Sequence, residues 1–487
     1  FQNTVATASG ITQAGTAGTI TFRNNVNVGN GDTNTTFNAN VVLDGLTFTA
    51  ADPVTFGDAG ADTLTISAAL VTVDTSATNA AVTVHSATTM NSDLTLTTGS
   101  GVVTLNGTVN GASNLILDTT GNTDINGVIG ATTPLTSVTT NAGGTTLLGA
   151  NISVDTGTLT FNDPVSLDTA AITLTGTTGA TLNFNSTLNG ANDLTLAFAG
   201  ATTAVGTVGN SAPLGDGTGA ALTINSTGTT EFQNTVATAS GITQAGTAGP
   251  ITFRDNVTIA AGDTDSTFNA NVVLDGLTLT SAGTVTFGNA GTDTLTVSTA
   301  LVTVTTAAAN KLVTVNSATT MNDDLTITTG SGGITLNGTV NGANDLILNS
   351  SGSTLIANTV GNSTPLLTVT TDGPGSTTLS GGLVATSGGT QTYNDPVILA
   401  ADFTTLTDTG ATGITFNSTV NADNSSLNDR ALVVTANNPT ASVNFNDIVG
   451  GAVNGALADL DVSSTTINLN TTSIRVDDQG GNVVTFT

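Results

Sequence analysis

Short segments in which apolar and polar residues alternate run along the whole chain. Examples are Leu64–Ile66, Leu94–Leu96, Val103–Leu105 and Ile334–Leu336, each with a Thr between two aliphatic residues. A period of two places successive side chains on opposite faces of a strand. The pattern therefore predicts many short β-strands that bury one face and present Thr, Asn or Ser on the other.

A second pattern consists of an aromatic or aliphatic residue, then Asn, two variable positions and Val or Leu, as in Phe37–Val41 and Phe416–Val420. Neighbouring copies lie roughly 15 to 23 residues apart, and Asn-Gly pairs suited to tight turns separate the strands. This spacing fits one turn of a parallel β-solenoid with two or three short strands per turn. We therefore predict inward Phe residues and outward Asn residues that stack on like residues in neighbouring turns.

The longest repeat is the opening FQNTVATASGITQAGTAG of residues 1–18, which returns unchanged at residues 232–249. Phe37 returns as Phe268, and after a one-residue insertion the motif at 162–164 returns at 394–396. The sequence thus predicts two solenoid units, 1–231 and 232–487, the second with a partial further turn at its C-terminus. They are expected to form one continuous rod of roughly 20-residue turns without a linker.

The alternative architecture is a series of β-sandwich domains of about 100 residues each. Sandwiches usually show linkers, longer strands and a Trp or Tyr core marker. This chain has no Trp, one Tyr (Tyr393) and only nine Pro. The all-β parallel solenoid without significant helix is therefore favoured over tandem sandwiches.

The charge composition of the chain indicates which classes of partner it is unsuited to bind. Charged residues make up 8% of the chain, five of them basic, and the net charge is −29. Because nucleic acids and anionic membranes are bound through Lys and Arg, the charge argues against both. The chain has no Cys, and no apolar run approaches the ~20 residues of a membrane span. We expect no nucleic-acid partner and no membrane insertion.

Three stretches carry a resemblance to known proteins: Thr132–Thr140 with Gly144–Gly149, its counterpart Ser363–Thr371, and Thr390–Val397. They resemble the repeats of filamentous-haemagglutinin-like adhesins and related β-strand-repeat secreted bacterial surface proteins. The resemblance covers the whole chain as a style of repeat. It implies a right-handed β-helical shaft at the bacterial cell surface that serves adhesion or an extracellular fibre.

Catalysis finds little support in the sequence. The single histidine, His85, corresponds to Asn316 in the second unit, so this position of the repeat accepts a residue that does not titrate. No pair of Asp residues stands out by the spacing that a glycosidase needs. We predict that the protein is not an enzyme and has no catalytic residues.

Calcium is the better chemical hypothesis, because Asp residues beside Gly or Asn turns offer hard oxygen ligands. The candidate ligands are Asp263, Asp265, Asp323 and Asp324. Two further acidic pairs are Asp58 with Asp62 and Asp477 with Asp478. Solvated turn Asp residues are the alternative interpretation, and no other cofactor is indicated.

These observations predict a structural shaft of an extracellular bacterial fibre or adhesin that associates with itself head to tail or laterally. The alternative is a binding module whose repeated face recognises a surface glycan. Sugar sites usually contain aromatic platforms, whereas the 3% of aromatic residues here are mostly Phe at inward positions. The shaft is therefore the first hypothesis.

Overall fold

The computed structural model describes residues 1–31, 33–58, 61–169, 171–477 and 481–487. These residues form strands, turns and irregular connections, and none of them lies in a helix. The strands pair in parallel and stack as a β-solenoid of about 21 turns. This confirms the predicted all-β parallel solenoid. The sandwich alternative, which requires antiparallel sheets, is wrong.

The chain divides into two compact units, Phe1–Ser240 and Gly241–Thr487. Within the first unit Val5 pairs with Val26, and Val71 pairs with Leu94, so that these turns take 21 and 23 residues. Other turns range from 19 residues, between Thr35 and Val54, to 28, between Val54 and Val82. Two other strands separate each strand from its partner in most turns, which gives three strands per turn. The turn length agrees with the spacing of the sequence motifs.

The strands of the first unit form three rows, one on each side of the coil. The first row contains Val5–Thr7, Val26–Val28, Thr47–Ala50, Val71–Asp74, Leu94–Gly99, Asn114–Thr119, Ser137–Thr140, Thr158–Phe161, Thr181–Phe184, Thr202–Ala204 and Thr230–Phe232. The second row contains Thr12–Gln13, Thr35–Phe37, Val54–Phe56, Val82–Val84, Val103–Leu105, Thr123–Ile125, Thr146–Leu148, Val165–Leu167 and Leu188–Asn189. The third row contains Ile20–Phe22, Val41–Asp44, Thr63–Ser67, Ala87–Met90 and Val109–Asn110, then Ile152–Val154, Ile172–Gly176, Leu194–Phe198 and Leu222–Ile224. The unit's last strand, Val236–Thr238, continues the second row, because Val208 bridges Leu188 to Val236.

The second unit repeats this arrangement. One row contains Ile251–Phe253, Val272–Asp275, Thr294–Ser298, Ala318–Met321 and Val340–Asn341, and a later row contains Leu383–Thr386, Phe403–Asp408, Ala431–Ala436, Leu460–Ser464 and Val484–Phe486. Another row contains Ile242–Gln244, Ser266–Phe268, Val285–Phe287, Val313–Val315, Ile334–Leu336, Ser353–Ile356, Ser376–Leu379, Val397–Leu399 and Val420–Ala422. The remaining row contains Val257–Ile259, Thr278–Ser281, Val302–Thr305, Leu325–Gly330, Asp345–Ser350, Thr368–Thr371, Thr390–Tyr393, Gly413–Phe416, Ser442–Phe445 and Thr466–Leu469.

The interior of each unit is a column of aliphatic and aromatic side chains. The rings of Phe37 and Phe56 stack with centroids 5.3 Å apart, and the equivalent rings of Phe268 and Phe287 do the same at 5.3 Å. Such stacks add to the stabilisation that comes from burial alone. Each of these ring pairs therefore links one turn to the next, as the repeated motif predicts.

Asn residues form the expected ladders on the outside. Among the described residues, the longest ladder lies in the second unit, where each Asn Nδ2 donates to the Oδ1 of the Asn one turn earlier. Its members are Asn394, Asn417, Asn446 and Asn470, with N–O distances of 2.7 to 2.9 Å. The Asn that follows Tyr393, Phe416 or Phe445 thus joins turns by hydrogen bonds on the surface.

The two copies of the opening repeat fold in the same way. Gln13 and Gln244 are both buried, and each donates from Nε2 to a backbone carbonyl five residues later at 2.9 Å. Arg23 pairs with Asp44 at 2.5 Å, and Arg254 pairs with Asp275 at 2.7 Å. In both copies the partner of the Arg lies one turn further along the chain.

Candidate functional site

The one histidine belongs to a ladder. His85 Nδ1 lies 3.1 Å from the Nδ2 of Asn106, whose Oδ1 accepts a hydrogen bond from Asn126. The equivalent Asn316 takes the same place in the second unit and accepts a hydrogen bond from Asn337. His85 therefore occupies a position that Asn fills elsewhere, and its contacts link neighbouring turns.

The predicted calcium ligands lie at turns. Asp265 Oδ1 accepts the backbone N–H of Thr284, and Asp324 Oδ1 accepts that of Asp345, both at 2.8 Å. Asp323 accepts the N–H of its own neighbour, and Asp263 accepts the hydroxyl of Thr264. These carboxylates thus bind backbone or hydroxyl groups within a turn or across successive turns.

The structure does not gather these carboxylates into a metal centre. No group of three His, Cys, Asp or Glu side chains suited to a metal ion occurs among the residues that the structure describes. Asp62 Oδ2 accepts the N–H of Asp58, while Asp478, the second member of the Asp477 pair, lies outside the described residues. Calcium binding stays a prediction.

A polar groove occurs at equivalent residues of both units. In the first unit it has a volume of about 410 Å³, and in the second about 430 Å³. Three successive turns contribute its lining. The first-unit lining residues that carry polar side chains are Thr89, Asn91, Asn110, Ser113, Thr132 and Thr133. Their counterparts, 231 positions later, are Thr320, Asn322, Asn341, Asn344, Ser363 and Thr364.

Glycine is required at the floor of each groove. Gly111 and Gly342 both have a φ of 139°. A Cβ on Gly111 would lie 1.9 Å from the carbonyl oxygen of Met90, and one on Gly342 would lie 2.0 Å from that of Met321. Any side chain would collide with the backbone of the preceding turn. The predicted Asn110-Gly111 turn is therefore a point of close contact between turns.

The preceding Asn fixes the wall of the groove. Asn110 Oδ1 accepts the backbone N–H of Thr132 at 2.8 Å, and Asn341 Oδ1 accepts that of Ser363 at 2.9 Å. The lining consists of neutral hydroxyl, amide and small apolar groups. Such a surface can exchange hydrogen bonds with a neutral hydroxylated molecule and offers no charge to attract an ion.

Two buried carboxylates lie at equivalent places beside the interior. Asp163 accepts hydrogen bonds from the hydroxyls of Thr140 and Thr146. Asp395 accepts them from Thr371 at 2.6 Å and Thr377 at 2.8 Å. Burial raises the pKa of both carboxyl groups, and the Thr hydrogen bonds offset part of that rise. Their contacts join neighbouring turns.

The interior of the second unit contains a polar network that the first unit lacks at the same positions. Gln391 donates from Nε2 to the carbonyl of Thr407 at 2.7 Å and accepts the hydroxyl of Tyr393 at 3.1 Å. Asp408 accepts the hydroxyl of Thr386 at 2.8 Å. The first-unit residues at these four positions are Leu159, Phe161, Gly176 and Val154. Burial strongly raises the pKa of Tyr393.

The second unit also has a cleft at the start of the strand Phe403–Asp408. It has a volume of about 480 Å³ and is bordered by Phe403 and Leu427. Sequence reasoning placed Phe residues mostly inward and did not single out this Phe. The alternation in Phe403–Asp408 was a usable signal, since an inward Leu406 puts Phe403 on the outer face.

Comparisons with known proteins give one relative of limited similarity. The chain is 28% identical over 399 residues to an outer membrane protein A of Rickettsia rickettsii. The aligned part is 77% of this chain but only 16% of that protein. No protein-family model matches the chain, and no solved structure does. No helix long and apolar enough to span a membrane occurs in the described part of the chain.

Proposed function

We propose that this chain is a structural shaft segment of an extracellular, adhesin-like bacterial surface protein. The observation that carries the proposal is the repeated stacking of Phe on Phe and Asn on Asn from turn to turn within each unit. In such a solenoid every turn holds its neighbours through a parallel ladder, a buried column and surface hydrogen bonds. We propose that the role of these contacts is mechanical: they hold successive turns together under load.

The similarity to a bacterial outer membrane protein supports the proposed location. The chain spans 16% of the length of that relative, so the role of the whole protein is part of the proposal. The predicted kinship with filamentous-haemagglutinin-like adhesins and the absence of catalysis belong to the same proposal.

Surface labelling tests the location. Antibodies raised against the folded chain are expected to label intact cells of the producing bacterium. Brief protease treatment of intact cells should remove the signal while a cytoplasmic marker survives. Labelling that requires permeabilised cells would contradict the proposal.

Self-association, head to tail or lateral, is proposed as the way such segments build a fibre. Negative-stain images of the purified chain over a range of concentrations test it directly. Filaments or ordered bundles are the expected result. Single particles that stay monomeric by analytical ultracentrifugation at the highest concentration would overturn it.

The duplicated polar groove favours a second function, the binding of a neutral surface glycan. Thr89 and Thr320 are exposed at equivalent positions of the two grooves. If the grooves bind glycan, a chain carrying both Thr89→Val and Thr320→Val should lose retention on a glycan array, and each single variant should keep about half of its sites. Equal retention of the double variant would exclude the grooves.

A further inference from the structure

The two units differ most in length at one loop. The six residues 189–194 of the first unit correspond to the twelve residues 421–432 of the second, because Leu194 and Leu432 hold the same place in their strands. The longer loop contains the six extra residues Asn424–Asp429, which have no counterpart in the first unit. The longer loop is therefore specific to the second unit and is not part of the pattern that the two units share.

Ion pairs hold this loop in place. Arg430 Nε lies 2.9 Å from Asp423 Oδ1, and its Nη2 lies 2.9 Å from Asp423 Oδ2, which makes a bidentate pair. Arg430 Nη1 also contacts Asp402 Oδ1 at 2.6 Å, and the Arg side chain is only 11% exposed. Two of the residues involved replace Ala in the first unit: Asp423 corresponds to Ala191, and Asp402 to Ala170. The loop and its partners have thus changed together.

Backbone contacts fix the loop further. The N–H of Ser425 donates to the carbonyl of Asn454 at 2.7 Å, and the N–H of Ala458 donates to the carbonyl of Arg430 at 2.8 Å. Both contacts reach into the turn that follows. The loop is therefore a fixed border of the cleft, and it is not free to collapse over the neighbouring side chains.

Two large apolar side chains are exposed at this border. Phe403 is 70% exposed and Leu427 is 78% exposed, and both line the same cleft. Of the 16 Phe residues, the only other exposed ones are Phe1 and Phe486. The first-unit counterpart of Phe403 is Ala171. An exposed aromatic residue beside an exposed Leu is typical of a recognition surface.

The charge of the cleft is negative. Besides the two apolar side chains, its lining includes the carboxylates Asp402, Asp429 and Asp459. No Lys or Arg is among the described residues that line the cleft, and the neighbouring Arg430 is engaged by Asp402 and Asp423. The whole chain carries a net charge of −29, which adds to the attraction of a cation.

We propose that this cleft binds a basic peptide segment of a partner protein, one that presents an apolar side chain between Lys or Arg residues. The apolar side chain packs against Phe403 and Leu427, and the basic residues face Asp429 and Asp459. A volume of about 480 Å³ holds one or two side chains of such a segment. The proposal goes beyond the proposed shaft function, because it rests on Phe403 and on extra loop residues that the first unit does not contain at the equivalent positions.

A peptide array tests the proposal with the whole purified chain. The array presents hexapeptides in which Lys or Arg alternates with varied apolar residues. Matched arrays replace the basic residues by Glu, or the apolar residues by Gly. Retention on the basic apolar array alone is expected, and it should fall at least tenfold between 50 mM and 500 mM salt. Retention on no array, or equal retention on all three, would overturn the proposal.

Two variants localise the binding. Phe403→Ala restores the residue of the first unit and should weaken retention at least tenfold, and Asp429→Asn should reduce both retention and its salt dependence. Both sites are exposed, so the midpoint of thermal unfolding should not change. Leu301→Ala is the matched control, because Leu301 is 51% exposed and does not line the cleft. Unchanged retention by Phe403→Ala, or equal loss by Leu301→Ala, would contradict the assignment.

Discussion

Replacement of Phe416 by Ala tests how the turns hold one another. Phe416 is 1% exposed, and its ring stacks on Tyr393 at 5.3 Å and on Phe445 at 5.0 Å. Loss of a buried Phe side chain costs about 3 to 5 kcal/mol, of which each lost ring contact accounts for about 0.5 to 1.5 kcal/mol. Because each turn of a solenoid contacts only its neighbours, the loss should be confined to three turns.

Hydrogen exchange followed by mass spectrometry measures this loss strand by strand. A fall of about 3 kcal/mol in the local opening free energy speeds exchange by on the order of 100-fold. We expect this acceleration in Thr390–Tyr393, Gly413–Phe416 and Ser442–Phe445. Phe403→Ala is the control, since loss of an exposed ring should leave exchange in these strands unchanged.

The reasoning would be refuted by either of two results. One is equal acceleration in the first unit, where Phe161 and Phe184 form a comparable stack at 5.2 Å. This would mean that the chain opens as one cooperative body. The other is an absence of acceleration around Phe416, which would mean that the ring column does not hold the turns together.

Three further predictions concern the turn, the buried carboxylate and the metal. In urea unfolding, Gly111→Ala should lower the free energy of unfolding by more than about 3 kcal/mol, because the new Cβ would collide with the Met90 backbone. The control Gly217→Ala should lower it by only about 1 to 2 kcal/mol, because Gly217 has a φ of 90° but open space around it. Burial raises the pKa of Asp395 in the folded protein, so ionisation of this carboxyl group destabilises the fold. The free energy of unfolding, relative to Asp395→Asn, should therefore fall as the pH rises from below the pKa of the unfolded chain through the pKa of the folded protein. Parallel pH profiles of the two proteins would contradict this. If the predicted ligands Asp265 and Asp324 hold a calcium ion beside the backbone N–H groups that they accept, chelation should lower the melting temperature in calorimetry, and an unchanged melting temperature would contradict the calcium prediction.

Much of the fold could be predicted because the information is local. Alternation sets the strands, and the spacing of the Phe-Asn motif gives the length of the turn. Stacking of like residues then follows from the geometry of a parallel coil. The Phe416 stack and the Asn417 ladder both derive from one motif, because Phe and Asn point to opposite sides of the strand end.

The candidate sites could not be predicted in the same way, because they depend on contacts between turns. The polar groove needs three successive turns, and only their register brings Asn110 to the backbone of Thr132. The carboxylate of Asp408 is buried where a strand of small and apolar residues would be expected, and its partner Thr386 lies a full turn away. Patterns within a single strand do not show which residues of neighbouring turns will form such pairs.

Differences between equivalent residues of the two units nevertheless indicate where the second unit departs from the first. Gly176 pairs with Phe198 in the first unit, whereas Asp408 pairs with Ala436 at the same place in the second. A Cβ on Gly176 would lie 2.2 Å from the Phe198 ring, so the small and large residues must change together. Phe403 in place of Ala171 belongs to the same divergent strand.

Single-molecule force spectroscopy of the chain, held at its two termini, tests the shaft proposal most directly. The turns take 19 to 29 residues, which corresponds to about 65 to 100 Å of released length when a turn is pulled out. The proposal predicts resistance to force and extension in steps of about this length or small multiples of it. Release of a whole unit in one step, or extension without resistance, would contradict it.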